Sequence, residues 1–302
     1  MRVTNSIITN NSKLRLQTGL QGIDRLRDDI ATGVTIRKIS DNVISGGEIV
    51  RIGSSMRALT QFKRNADSAA ARAEAEEGVL NQLTNTITRA SELSVTQAGS
   101  TATAQSRLAV KAEVDQLLNF AVGLGNTRFG DEYLLGGTRA NEPPLHNPAP
   151  ATGTFSRLML AGNPVDPSGN ITLEVGDNKF VTPTHNAKEV LLDTDALEAL
   201  RELSTALGNN DTAAIQAATT RLNTANSNVQ SLIGTQGARI NEIEDAKVNL
   251  QAMEMNLKMY RSDLRDTEVD QAMVELVGKQ TLYQAAMSAT SRILGLSLAN
   301  YL

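Results

Sequence analysis

The chain has 302 residues with a formal net charge of -4; 40% are apolar but only 3% aromatic, and neither cysteine nor tryptophan occurs. That balance argues against a polyanion-binding role, and it excludes disulfides, thiolate catalysis and cysteine metal ligands. With so little aromatic area, the core has to be built from Ala, Leu, Ile and Val in thin helical seams.

The first element is an amphipathic helix. Leu16, Leu20, Ile23 and Ile30 share one helical face, with Leu26 widening it and Arg27 at the vacant stripe position. Gly33 is placed as a residue that ends a helix. A mix of β-branched and turn residues up to Gly46 and Gly47 reads as a loop or short hairpin. From about Glu48 to Gln97 a heptad pattern runs through Ile49, Ile52, Met56, Leu59, Ala66, Ala70 and Ala73, then continues past Leu80 in what reads as a shifted phase. Fifty residues of helix extend roughly 75 Å at about 1.5 Å per residue. After Gly99, Val110, Val114, Leu117, Ala121 and Leu124 define a returning helix.

All seven prolines fall between Pro143 and Pro183. Proline breaks helices, so the proline-free arms suit long helices and the centre suits an irregular or β insertion. Within it, Phe155–Leu160 reads as a strand, and Ile171–Val175, Gly176-Asp-Asn and Lys179–Thr182 read as strand, turn and strand. Both histidines, His146 and His185, lie here and are expected to be surface polarity rather than metal ligands. Asn170-Ile-Thr172 matches a glycosylation acceptor by pattern alone.

Helical periodicity returns near Asp195, itself placed as an N-cap. Ile243, Ala246, Leu250, Met253, Leu257, Tyr260 and Leu264 keep an unbroken alternation of threes and fours. Five residues then separate Leu264 from Val269, which neither spacing allows. A joint is expected there, with Thr267 capping a new helix and the joint facing the loop around Gly33–Gly47. The last stripe is Val269, Met273, Leu276, Gln280, Tyr283, Met287, Thr290 and Leu294, with Ile293 and Leu298 beside its end. Residues 1–39 carry seven basic and three acidic side chains, and residues 263–302 five acidic and three basic, so the two ends are expected to pair by charge.

These elements predict a mainly α protein, an elongated rod of long antiparallel coiled-coil helices with a small central β insertion. The expected parts are a terminal coiled-coil domain (1–45 with 265–302), a helical rod (46–140 with 195–264) and an insertion (141–194) placed at the tip of the helical hairpin, within which removal of 145–192 should be tolerated by the helices. There is no phosphate-binding loop, dinucleotide fingerprint, HExxH or nucleophile elbow, so no catalytic residue, cofactor or metal site is expected and the chain does not read as an enzyme. No stretch approaches the ~20 apolar residues that span a bilayer. Met1–Asn11 lacks the apolar core of a cleaved secretory leader, which by itself suggests the cytoplasm.

The two ends carry a resemblance. Ile23–Gly33 followed by Ile39-Ser-Asp-Asn42 resembles the N-terminal helix and aspartate-bearing loop of the flagellin family, with Val43-Ile44-Ser45 departing from its usual run. Asp270 to Gln280, Tyr283 to Ala285, and Ile293 to Leu302 are similar to the family's C-terminal helix and its Asn-Tyr-Leu tail. Tyr133–Leu145 and Met1-Arg-Val-Thr look like those family members that join hook to filament, Tyr133–Leu145 being their entry into a β domain. The resemblance implies a structural protein of the bacterial flagellum, secreted through the flagellar type III export channel without a cleaved leader. It implies a ring of copies of the chain, a hook-side junction protein and flagellin as neighbours, and an export chaperone on the C-terminal helix. It implies neither nucleic acid nor membrane insertion. The interface residues it points to are Leu16, Leu20, Ile23, Ile30, Val269, Met273, Leu276, Tyr283, Met287, Ile293, Leu294 and Leu298. A short flagellin and a cytoplasmic coiled-coil scaffold are the alternatives.

Overall fold

The structure, a computed structural model, describes residues 2–99, 102–146, 155, 157–158, 164–165 and 167–299, the side chains of 2–6, 8–9, 157–158, 164–165 and 293–299 excepted. Six α-helices dominate it: α1 (Arg2–Thr32), α2 (Val43–Gln97), α3 (Ala104–Gly125), α4 (Ala196–Gly208), α5 (Thr212–Arg265) and α6 (Val269–Ala299). Between α3 and α4 lie three small antiparallel hairpins: β1 (Arg128–Phe129) with β2 (Glu132–Tyr133), β3 (Arg157–Leu158) with β4 (Pro164–Val165), and β5 (Leu173–Gly176) with β6 (Lys179–Val181). The chain is mainly α with a small central β portion, and contacts divide it into two units: Met1–Arg57 with Met253–Leu302, and Ala58–Ala252. These divisions fall deeper into α2 and α5 than the expected 45/46 and 264/265.

The second unit is built on an antiparallel seam. In α2 one buried row runs Ala66, Ala69, Ala73, Glu76, Leu80, Leu83, Ile87, Ala90, Ser94 and Gln97, alternating threes and fours, with Val79, Thr86 and Leu93 buried beside it. The phase shift expected after Leu80 is absent, because the seam uses Ala69 and Glu76 where an apolar stripe would be drawn through Ala70. In α5 the matching row is Ile215, Ala218, Leu222, Ala225, Val229, Gln236, Ile243, Ala246 and Leu250, with half-buried Leu232 and Arg239 filling the gaps. The expected α5 stripe holds through Leu250, beyond which Met253 and Tyr260 are exposed. Cross-links fix the register: Thr219 Oγ1 donates to Ser94 Oγ (2.8 Å), Ser91 to Asn223 (3.0 Å), and Gln236 Nε2 to the Ala73 carbonyl (3.1 Å).

The shorter helices close over this seam. Thr103 caps α3 by accepting the Ser106 N–H (3.2 Å), and α3 packs against α4. Asp195 stands at the start of α4 as expected, but with φ +68° and its carboxylate held by Arg221 instead of capping the helix. At the α2–α3 turn the buried Arg107 guanidinium donates to the carbonyls of Gln97 and Gly99 (both 3.2 Å) and to Asn210 Oδ1. The Gln97 carbonyl is an orphaned acceptor at the end of α2, and the cation also suits the negative pole there.

The insertion is integral to this core, contrary to the expectation that the helices do without it. Leu145, Phe155, Ala187, Val190 and Leu191 belong to one buried cluster with α2, α3, α4 and α5. Asn126 clamps Leu145 by donating to its carbonyl (2.9 Å) and accepting its N–H (3.0 Å). The β5–β6 hairpin appears where the alternation placed it, turning at Asn178 with φ 57°. Of the other expected strand, Arg157–Leu158 is a strand and Phe155 is buried just before it; Ser156, Met159 and Leu160 lie outside the described residues. Buried His185 corrects the surface reading of the histidines. Its backbone N–H donates to both carboxylate oxygens of buried Glu76 (3.0 and 3.2 Å), and its Nδ1 lies 2.8 Å from Oε1. His146 is exposed, and the described residues contain no group of side chains able to hold a metal ion. Asn170 is bonded to Glu189 (3.1 Å) and Asn186 (2.9 Å).

Candidate assembly interface

The first unit is organised by the antiparallel pairing of α1 with α6 and by a short ladder at their shared end. Gly33 ends α1 with φ +68°, as its position predicts. Thr35 N–H then donates to the Arg265 carbonyl (2.8 Å), Val34 bridges Asp266, and Thr267 N–H donates to the Gly33 carbonyl (3.0 Å). The joint after Leu264 therefore exists and faces the 33–42 loop. Thr267 plays a different part from the expected cap: its hydroxyl donates to the Asp29 carbonyl (3.2 Å) and lies 3.0 Å from Thr35 Oγ1.

The loop itself is held by charge and backbone bonds. Asp41 accepts the N–H groups of Lys38 (3.0 Å) and Arg37 (3.1 Å), which lower its pKa most, with Arg25 adding attraction. Arg37 pairs with Asp28 and with buried Asp29. Asn42 Oδ1 accepts the N–H of Ile44 and Ser45 (both 3.1 Å) and so caps α2. Tyr260 donates to Glu48 (2.8 Å), which lowers the Glu48 pKa. The expected charge pairing between chain ends is not made among the described residues. The acids at 24–41 pair with bases at 25–37, and Lys279 pairs with Glu275 (2.8 Å).

Burial separates the two units. The first buries only Ile23, Ile52 and Ala272 among its described apolar residues. Of the sequence-predicted interface residues, Ile23 is in the α1–α6 seam, and Leu16, Ile30, Leu276 and Tyr283 are half-buried. Tyr283 lies against α1 where Gly19 has no side chain; a Cβ there would be 3.5 Å from its Cδ2. Leu20, Val269, Met273 and Met287 are exposed, and the side chains of Ile293, Leu294 and Leu298 lie outside the described residues.

Sequence reasoning missed a second set. Leu14, Ile39, Val43, Ile44, Val274, Val277 and Leu282 are also exposed, Ile44 at 82%. Their signal was available: on a helix whose inward stripe is already complete, additional valines and leucines off that stripe form a second apolar face. Between α1 and α6 runs an open groove of about 830 Å³, lined by Leu14, Leu16, Gly19, Leu282, Tyr283 and Ala286 among others. Exposed apolar surface of this kind is where proteins contact other proteins, membranes or ligands. No described helix is long and apolar enough to cross a membrane.

Pairing of the first helix with the last, with the middle of the chain forming its own compact unit, defines the class of this helical protein. The bacterial flagellin N-terminal helical region matches residues 3–140, and the bacterial flagellin C-terminal helical region matches residues 214–302, together about three quarters of the chain. The chain belongs to the flagellin family. Flagellar hook-associated protein 3 of Escherichia coli is 23% identical over 291 residues, covering 90% of each chain. Flagellin of Salmonella typhimurium is 31% identical over 115 residues, 38% of this chain but 22% of the flagellin. Among solved structures, Bacillus cereus FlgL is 20% identical, with 70% of this chain and 98% of that one covered at a TM-score of 0.57. The flagellar junction protein FlgL of Legionella pneumophila is 13% identical, with 71% and 98% covered at a TM-score of 0.51. At these identities the two structures bear on the fold, and they agree with it.

Proposed function

We propose that the protein is a structural subunit of the bacterial flagellum that forms the junction between hook and filament. The observation that carries this reading is the end-to-end likeness to hook-associated protein 3, 90% of each chain. A flagellin, by contrast, is matched over only 22% of its length. The exposed apolar faces of α1 and α6 supply the means. Leu14, Leu20, Met273, Val277 and Leu282 are 43–70% exposed in the single chain and would be covered by neighbouring copies in a ring. The proposed neighbours are a hook-side junction protein below and flagellin above. α6 would be held by an export chaperone before the chain is secreted. This is mechanical work, and no reaction is assigned to the chain.

The test is localisation together with complementation. In a strain lacking the gene, the tagged protein should restore swimming and appear by immuno-electron microscopy at the distal end of the hook. Label along the whole filament would instead make it a short flagellin, and label confined to the cytoplasm would make it a scaffold. Met273→Asp places a charge on an exposed residue, so the chain should still fold and be secreted while filaments fail to attach. Normal swimming by that variant would remove this face of α6 from the interface.

A further inference from the structure

We propose that the Glu76–His185 pair is a proton-dependent clasp that fastens the returning segment of the insertion, residues 182–186, onto the α2–α5 seam. Glu76 occupies a seam position, three residues after Ala73 and four before Leu80, and its side chain has no exposed surface. Polar residues at such positions cost stability and fix what packs beside them. Here the partner is the insertion. His185 bonds the carboxylate from both its backbone and its ring, and it is itself only 4% exposed. From the other side of the seam, Gln236 Nε2 donates to the Ala73 carbonyl (3.1 Å) and to the Pro183 carbonyl (2.9 Å). One short segment is thus tied to α2 through Glu76 and to α5 through Gln236.

The charged groups around the pair are few. Arg239 faces it from α5, with its buried Nη1 lacking an acceptor. One turn back on α2, Arg72 is engaged by Glu132 of the β1–β2 hairpin and lies over the Phe129 ring. The returning segment contributes His185 itself. Burial raises the Glu76 pKa, and the His185 bonds and the Arg239 charge oppose this without cancelling it. A carboxyl whose pKa rises on folding contributes stability that is complete below its unfolded value, about 4.5, and is lost as pH rises through the folded value. The clasp is therefore tightest when the Glu76 carboxyl carries its proton. It loosens as the pH rises and the buried carboxylate must carry its charge.

Amide exchange of residues 184–187 in the full-length chain, corrected for intrinsic rates, reads the opening of this segment between pH 4.5 and 8. In the wild type, opening should become rarer as pH falls, by up to tenfold per pH unit below the folded pKa. Glu76→Gln keeps the side chain's shape without the titration and should remove that slope. An unchanged slope in Glu76→Gln, or a wild-type slope of opposite sign, overturns the clasp. Carbon-13 titration of the Glu76 carboxyl in the wild type tests it without any variant: a midpoint above 4.5 supports it, and one at or below 4.5 overturns it.

Discussion

Replacing Leu191 by Ala tests whether the insertion belongs to the cooperative core. Leu191 lies in the π-helical turn Lys188–Leu192 and has no exposed surface. It packs directly on the backbone of α3, since a Cβ built at Gly125 would lie 2.5 Å from its Cδ1 and 2.6 Å from that of Leu145. The hole left by truncation is therefore walled on one side by a residue with no side chain to move into it. Leu→Ala costs range from about 2 to 5 kcal/mol with the residual cavity, and poor collapse here places the cost at about 3–4 kcal/mol. In urea unfolding followed by circular dichroism, the midpoint should fall with little change of slope. Leu282→Ala, 70% exposed, serves as the control and should shift stability by less than about 0.5 kcal/mol. A Leu191→Ala cost under about 1 kcal/mol would refute the reasoning, because the floor of the range is about 2. The insertion would then be an appendage, and excising residues 145–192 would leave the helices paired. With Leu145, Phe155 and Leu191 in the core, that excision is instead expected to abolish cooperative melting.

Gly137→Ala should destabilise the second unit by about 2 kcal/mol or more, since φ is +58° and the new Cβ would meet the Gly169 carbonyl oxygen at 2.0 Å. An unchanged urea midpoint would show that the two loops do not cross there. Asp41 gives a pH dependence of the opposite sign to Glu76: its pKa is lowered, so the loop's support is present above the ordinary 3.8 and is lost as pH falls through the folded value. Exchange of the Lys38 and Arg37 amides should quicken only below that range, and quickening already at pH 6 would show that Asp41 does not hold them.

Periodicity made the long helices legible because the rule that writes them is short. A seam needs a small or apolar residue every three or four positions, and Ala66 to Ala90 and Ile215 to Leu250 supply it almost without exception. The exceptions were illegible for the same reason. Glu76, Gln236 and Arg239 occupy seam positions, but a pattern that scores apolar residues skips them and reads a phase shift instead. What makes Glu76 tolerable there is His185, 109 residues away, and no local rule connects the two. The insertion's hairpin was legible from period-two alternation, whereas its burial was not, since Leu145 and Leu191 look alike in sequence whether they cap a tip or fill a core. In the terminal helices the inner stripe was legible at Ile23, Leu276 and Tyr283. Charge was the misleading signal, because acids and bases adjacent in sequence satisfy one another before the opposite chain end can reach them.

The contrast in burial is itself the argument for assembly. In the second unit the insertion, the short helices and the α2–α5 seam pool their apolar residues into one cluster. In the first unit, α1 and α6 are 31 residues each, yet Ile23 and Ala272 are the only apolar residues these two helices bury among those described. Helices draw most of their stability in proteins from packing an apolar face, and this pair leaves a large part of that face to solvent. Composition does not explain it, because Leu14, Val274, Val277 and Leu282 are strongly apolar side chains that a self-sufficient surface would replace with charges. In the proposed ring the missing partners would be neighbouring copies, since each would present the same unpaired faces and repetition around an axis would let each contact be satisfied in turn. In that ring the joint at Gly33 and Thr267 would hold the end of α1 to the start of α6, so that the two helices would enter the contact as one element rather than two.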